Sequence, residues 1–254
     1  MDGFVIFSVF AFGAMIGSFL NVCIVRIPHD QSIVRPPSHC PMCQAPIAWY
    51  DNVPLVSYVL LAGRCRTCRT RISPLYPAVE ALTGGLAVAL WWRLGATPAF
   101  AGYLTFAAAL VTITFIDLDH RIIPDVISLP GIALGLAVSL VSPLVTPLDA
   151  LLGVVAGGGF LLGVAAAYQA IRGQEGMGGG DVKLLAMIGA FLGWQSIFVT
   201  VMVASIVGSI IGVALMLYRR ADSKLAIPFG PFLACGALVH LFFGDRILAF
   251  YFGV

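Results

Sequence analysis

Charged residues are scarce in this sequence. Only 10% of its 254 positions are Asp, Glu, Lys or Arg, and 60% are hydrophobic, whereas soluble domains have an apolar share of roughly 45–50%. A water-soluble globular protein is excluded on that ground. Histidine is also sparse: the four present are scattered, with His240 alone in a late apolar run, so no histidine-based catalytic triad is evident. The G-K-[ST] signature of a phosphate-binding loop is absent. There is no internal repeat and no low-complexity tract. The net charge of +2 is small, and no nucleic-acid partner is expected.

Long apolar runs take the place of charge. A membrane-spanning helix needs roughly 17–25 mostly apolar residues, and eight such runs can be marked, at about 4–25, 77–94, 98–116, 125–142, 148–170, 182–194, 196–218 and 228–251. The sixth is the shortest, and its boundary with the seventh lies near Gly193 to Ser196. The expected fold class is an all-α polytopic membrane protein. Nothing basic precedes the first run, which is longer than a signal-peptide core, so it reads as a retained helix. If the segment after helix 1 is cytoplasmic, Arg26, Arg35, Arg64, Arg66, Arg69, Arg71, Arg121, Arg172, Lys183, Arg219, Arg220 and Lys224 all lie inside, leaving only Arg93 and Arg246 outside. That distribution obeys the positive-inside rule. Gly157 to Gly159 and the Gly84-Gly85 pair read as small-residue packing surfaces between helices.

One segment, 26–76, is long and polar enough to fold in water. It holds four of the six cysteines, as CPMC (Cys40, Cys43) and CRTC (Cys65, Cys68). Two C-x-x-C turns offer four thiolates to one tetrahedral ion, and a four-sulfur site leaves no open position, so the metal is structural. Zinc is the expected ion. A disulfide is the competing reading, but cytoplasmic thiols stay reduced. About fifty residues also make a small core, which a metal would staple. Cys23 and Cys235 lie in apolar runs and read as small buried hydrophobes. His29 and His39 are left as surface residues.

Ionisable residues at membrane depth demand a partner or a function. Asp149 and Asp245 read as solvated, while Glu80 is either interfacial or lines a polar pocket. Two acidic clusters remain. Asp117 directly continues the apolar run of helix 3 in TFIDLDHRIIPD, with Asp119 and Asp125 following. Asp181 opens helix 6 behind the glycines of GMGGGDVKLL, residues 176 to 185. The topology puts Asp117 and Asp181 on one side at similar depth. Two carboxylates sharing a poorly solvated site keep one proton between them, which is the arrangement an aspartic protease uses. Without Cβ atoms, Gly178 and Gly180 can take positive φ and let a substrate backbone approach closely beside Asp181, which also reads as a cap of its helix. Arg121, one helical turn beyond Asp117, either biases which acid is ionised or is a solvated loop residue, the reading preferred, and Lys183 reads as an anchor to the lipid interface or substrate. Carboxylates alone fit a proton-coupled transporter equally well, and the four cysteines alone fit a scaffold that binds a cytoplasmic partner.

Taken together, GSFLNVCIVRIP (Gly17 to Pro28), CPMC, DNVPLVSY (Asp51 to Tyr58), CRTC, YPAVE (Tyr76 to Glu80), DLDHRIIPD and GMGGGD resemble the type IV prepilin peptidase family of G-x-G-D intramembrane aspartyl proteases. The resemblance implies a first helix at 1–25, a cytoplasmic four-cysteine module at 26–76 and a seven-helix peptidase core at 77–254. It places the catalytic aspartates at Asp117 and Asp181, with Gly178 and Gly180 in the active-site loop. It implies cleavage of type IV prepilin or pseudopilin precursors at the cytoplasmic face of a bacterial inner membrane. Retention of all four cysteines implies N-methylation of the new amino terminus by S-adenosylmethionine as well.

Overall fold

The computed structural model describes residues 3–173, 178–219 and 228–253. Gly176, Arg220 and Lys224, named above, lie outside them. The described residues are helical apart from loops and two isolated β-bridges. The α-helices are α1 (Gly3–Arg26), α2 (Val56–Leu60), α3 (Leu75–Leu94), α4 (Pro98–His120), α5 (Asp125–Ser139), α6 (Pro147–Arg172), α7 (Gly179–Leu192), α8 (Gln195–Arg219) and α9 (Gly230–Phe252).

Every one of the eight apolar runs falls on a helix, but among the described residues five helices, against the eight expected, are long and apolar enough to cross a membrane. These are Gly3–His29, Pro98–His120, Pro147–Arg172, Gln195–Tyr218 and Gly230–Tyr251. The 15 residues of α5 and 14 of α7 reach only about 21–23 Å, short of a hydrocarbon core of about 30 Å. The α3 helix has 20 residues but includes Glu80 and Arg93. Large apolar side chains such as Phe4, Phe7, Val155, Leu162 and Leu217 are exposed, a surface suited to lipid rather than water.

The chain packs as two compact units, Met1–Thr112 and Ile113–Val254. In the first, α1 lies against α3. Gly13 and Gly17, four residues apart, form the contact: a Cβ on Gly17 would stand 2.7 Å from the Glu80 Cα, and one on Gly13 would stand 2.9 Å from the Gly84 Cα. In the second unit α7 packs between α5 and α6, and every residue from Leu184 to Leu192 is buried. The same spacing recurs on both neighbours. Gly131 and Gly135 of α5 face Met187 and Ala190, while Gly153 and Gly157 of α6 face Gly189 and Leu185. Small residues four apart let two helix backbones approach where lipid gives no hydrophobic drive.

The glycine groups singled out in the sequence therefore divide by helix face. Gly84 packs on Phe10 and Gly157 on α7, whereas Gly85 and Gly159 meet open space. Helix ends follow local chemistry. Thr146 caps α6 through the Asp149 amide at 3.2 Å and also donates to the Asp149 carboxylate at 2.6 Å, so Asp149 is a capping partner. Gly193, with φ of 78°, closes α7 two residues before α8 begins.

Gly189→Ala is expected to destabilise the second unit, because the new Cβ would meet the Gly153 carbonyl backbone, which cannot rotate away. Overpacking of about 1–3 kcal/mol outweighs a helix-propensity gain of about 1 kcal/mol. Gly159→Ala has only the gain. Thermal unfolding in detergent should show a lower midpoint for the first and an unchanged or higher one for the second.

Candidate active site and metal centre

Asp117 lies in the last turn of α4 and is 5% exposed, while Leu118, Asp119 and His120 beyond it are exposed. Asp119, about 200° further round the helix, is thereby separated from Asp117. The Arg121 amide donates to the Asp117 carbonyl at 2.9 Å with φ of 57°, ending the helix, and its side chain is exposed. Arg121 is thus the solvated loop residue expected.

Asp181 is half-buried in the first turn of α7. The N-cap is Gly178, in extended conformation at φ −69° and ψ 138°, so the expected cap role of Asp181 is replaced by a position inside the helix. Neither Gly178 nor Gly180 uses the positive φ open to it. Gly180 is already helical, and its missing side chain matters for a different reason: a Cβ there would stand 2.9 Å from the Ile123 Cβ. A Cβ on Gly178 would meet nothing within 4 Å among the described residues. The carboxylates of Asp117 and Asp181 interact electrostatically.

Two neighbours of this pair were not foreseen in these roles. The Gly230 amide, at the start of α9, donates to Asp117 Oδ2 at 2.9 Å. Lys183 donates to both oxygens of Asp125 at 2.7 Å, joining the amino-terminal ends of α7 and α5. This ion pair takes the place of the lipid or substrate anchorage expected of Lys183. Both partners are substantially exposed, so its stabilisation is at most about 1 kcal/mol.

In the other unit the four cysteines converge. The sulfurs of Cys40, Cys43, Cys65 and Cys68 all lie within 4.8 Å of one another, with Cys40 to Cys68 at 3.7 Å and Cys43 to Cys65 at 4.0 Å. A tetrahedral Zn–S distance of about 2.3 Å requires sulfurs about 3.8 Å apart, so the donor set fits zinc. All four are free thiols. The Thr70 hydroxyl and then the Thr70 amide bring the Cys68 thiol down to about 6, which suits a thiolate ligand.

The two knuckles share one backbone design, residues 38–47 and 63–72. In each, the first cysteine amide donates to the carbonyl five residues on (Ala45, Thr70), and that cysteine's carbonyl accepts from the residue four on (Gln44, Arg69). Gln44 and Arg69 take φ of 57° and 59°, and Ile47 and Ile72 close the turns onto Ser38 and Gly63. This short repeat was missed in the sequence; the signal was an isoleucine four residues beyond the second cysteine of each pair.

The rest of the loop is tied down by charge. Asp51 accepts both Arg66 Nε at 2.7 Å and Nη2 at 2.6 Å, and the guanidinium holds the Asp51 carboxyl below its usual value. Glu80 is buried and accepts the Leu55 amide at 2.8 Å, steadying a residue at φ of 62°. The carboxylate whose role was open thus anchors the returning loop. Asn21 adds a bond to the Tyr76 carbonyl at 3.1 Å.

Comparison with known proteins covers both units. Residues 11–94 match the bacterial peptidase A24 N-terminal domain, and residues 104–213 match the type IV leader peptidase family. A prepilin leader peptidase/N-methyltransferase of Aeromonas hydrophila is 39% identical over 96% of this chain and 92% of its own length. Proteins of the same name from Pseudomonas aeruginosa and Neisseria gonorrhoeae are each 37% identical, over 94% and 92% of this chain and 90% and 89% of their own lengths. No solved structure matches the chain.

Proposed function

We propose the function from one premise: the chain belongs to the type IV leader peptidase family. It cleaves the leader from type IV prepilin-like precursors as an aspartic peptidase and methylates the amino terminus so exposed. The relatives' names carry those two activities and no transport.

Asp117 and Asp181 are the acid pair. The observation that carries this reading is a buried carboxylate at the end of an apolar helix, near enough to feel the charge of a second one in the first, glycine-led turn of α7. One acid is ionised and takes a proton from water as the oxygen attacks the scissile carbonyl; the other is protonated and polarises that carbonyl. Gly178 and Gly180 form the approach to Asp181, where the open backbone at 178 admits an extended substrate segment.

Residues 26–76 form the metal-stapled module, with zinc held by Cys40, Cys43, Cys65 and Cys68 in a structural role. Its conformation is built of turns and short helices, unlike a glycine-rich methyltransferase fold, and S-adenosylmethionine supplies the methyl group. The basic residues favour a cytoplasmic location for this module and for the acids, in a bacterial inner membrane. In this reading all eight hydrophobic helices cross the bilayer, α5 and α7 with the help of the residues that flank them, and α7, being short, begins below the surface and carries Asp181 with it.

The deciding experiment incubates the purified protein with a prepilin and S-adenosylmethionine and weighs the products by mass spectrometry. The expected result is loss of the leader followed by gain of one methyl group. An intact precursor would overturn the peptidase reading, and a cleaved but unmethylated product would overturn the methyltransferase.

A further inference from the structure

The amino terminus of α9 presents an unusual arrangement to Asp117. The first amides of a helix have no intrahelical partner. Here Pro231 has no N–H, and Phe232 donates to the Phe229 carbonyl at 3.1 Å. The Gly230 amide is left, and it donates to Asp117 Oδ2 at 2.9 Å in a buried setting. A side chain at position 230 would push Asp117 aside: a Cβ would stand 2.7 Å from Asp117 Oδ2, 3.3 Å from its Cγ and 3.3 Å from the Ile123 Cδ1. Glycine therefore permits the approach, and the following proline pre-sets the helical start without adding a competing donor.

Resting on the reading of Asp117 and Asp181 as the acid pair, we propose that Gly230 is a positioning residue whose backbone amide holds Asp117 in the ionised, base role and leaves the proton on Asp181. Asp181 lies in the first turn of α7, where the dipole favours charge, whereas Asp117 meets the amino terminus of α9 but also ends α4, whose dipole opposes charge, so helix dipoles by themselves do not make Asp117 the ionised acid. A directed hydrogen bond to the charged form does choose, and the structure gives one to Asp117.

The step balances as follows. Asp117 removes a proton from water while the water oxygen bonds to the scissile carbon, and Asp181 gives its proton to the carbonyl oxygen. In the resulting diol the C–N bond breaks as the leaving nitrogen takes the proton from Asp117. Asp181 recovers a proton from a diol hydroxyl. Both acids return to their starting states. With Oδ2 fixed by Gly230, Oδ1 of Asp117 makes the proton exchange.

The test replaces the amide linking Phe229 and Gly230 with an ester in the full-length protein, by incorporating glycolic acid at position 230. This removes the N–H without adding an atom at the site. Cleavage of a purified prepilin should lose roughly ten- to hundred-fold in kcat, with KM unchanged and methyl transfer to a pre-cleaved peptide intact. A merely structural contact would lower both activities together. Gly230→Ala keeps the N–H but forces its Cβ onto Oδ2, and should also lose kcat. Normal kcat in either variant, or a change confined to KM, would overturn the proposal. Asp117→Asn, assayed alongside, separates the two failures. If it cleaves normally, the acid pair itself is wrong. If it is inactive while the ester chain cleaves normally, only the role of Gly230 is wrong.

Discussion

Asp117→Asn and Asp181→Asn are each expected to reduce prepilin cleavage by roughly 10³-fold or more, with the protein still folded. Positioned acid–base groups contribute about 10²–10⁴-fold each, and two that share one proton act as a unit, so the double variant should be little worse than either single one. Asparagine preserves the volume. At 117 its amide oxygen still accepts the Gly230 N–H, so that bond survives while proton transfer is lost. At 181 the side chain is half-buried in the first turn of α7 and caps nothing, so little stability depends on its charge. Methyl transfer to a pre-cleaved peptide serves as the internal control and should persist in all three variants. Asp119→Asn, on an exposed position, should cleave normally. Full cleavage by the Asp117 or Asp181 variant would remove the acid pair from the mechanism.

The acids were legible because hydrophobic sequence makes a carboxylate conspicuous: Asp117 ends an uninterrupted apolar run and Asp181 begins one. The four cysteines were legible because their spacing is the chemistry. Gly230 was not, because its contribution is a backbone amide 113 positions from the carboxylate it serves, and an amide leaves no mark of residue type. Nor was the Lys183 to Asp125 pair, which joins two helix starts 58 positions apart. The packing glycines show the same limit in another form. Gly157 and Gly159 look alike in a sequence, yet one meets the α7 backbone and the other meets open space, because two residues move a side chain about 200° round a helix. The positive φ open to Gly178 and Gly180 goes unused for a related reason. A glycine run before an acid suggests a tight turn, but α7 starts early enough to include Gly180, and crowding by Ile123 excludes a side chain there instead.

The second large effect belongs to the cysteines. Single Ser substitutions at Cys40, Cys43, Cys65 or Cys68 are expected to abolish stoichiometric zinc and unfold residues 26–76. The reason is the weakness of everything else in the module. It has no sheet, its 3-10 turns at Ile27–His29 and Trp49–Asn52 and the five-residue α2 bury little, and its main ion pair, Arg66 with Asp51, has a largely exposed arginine. A segment of this size has too small a core to hold itself together, whereas a structural zinc site contributes about 10–16 kcal/mol of apparent binding free energy. That asymmetry means three remaining thiolates should not rescue the fold at sub-micromolar zinc. Elemental analysis should give one zinc per chain in the unsubstituted protein and little in any of the four variants. Limited proteolysis should then cut within 26–76 in the variants or after chelation. Cys23→Ser and Cys235→Ser, outside the cluster, should keep both the metal and the protection. A metal-free protein whose module resists proteolysis would show that the loop is held by the Glu80 and Asp51 contacts rather than by zinc.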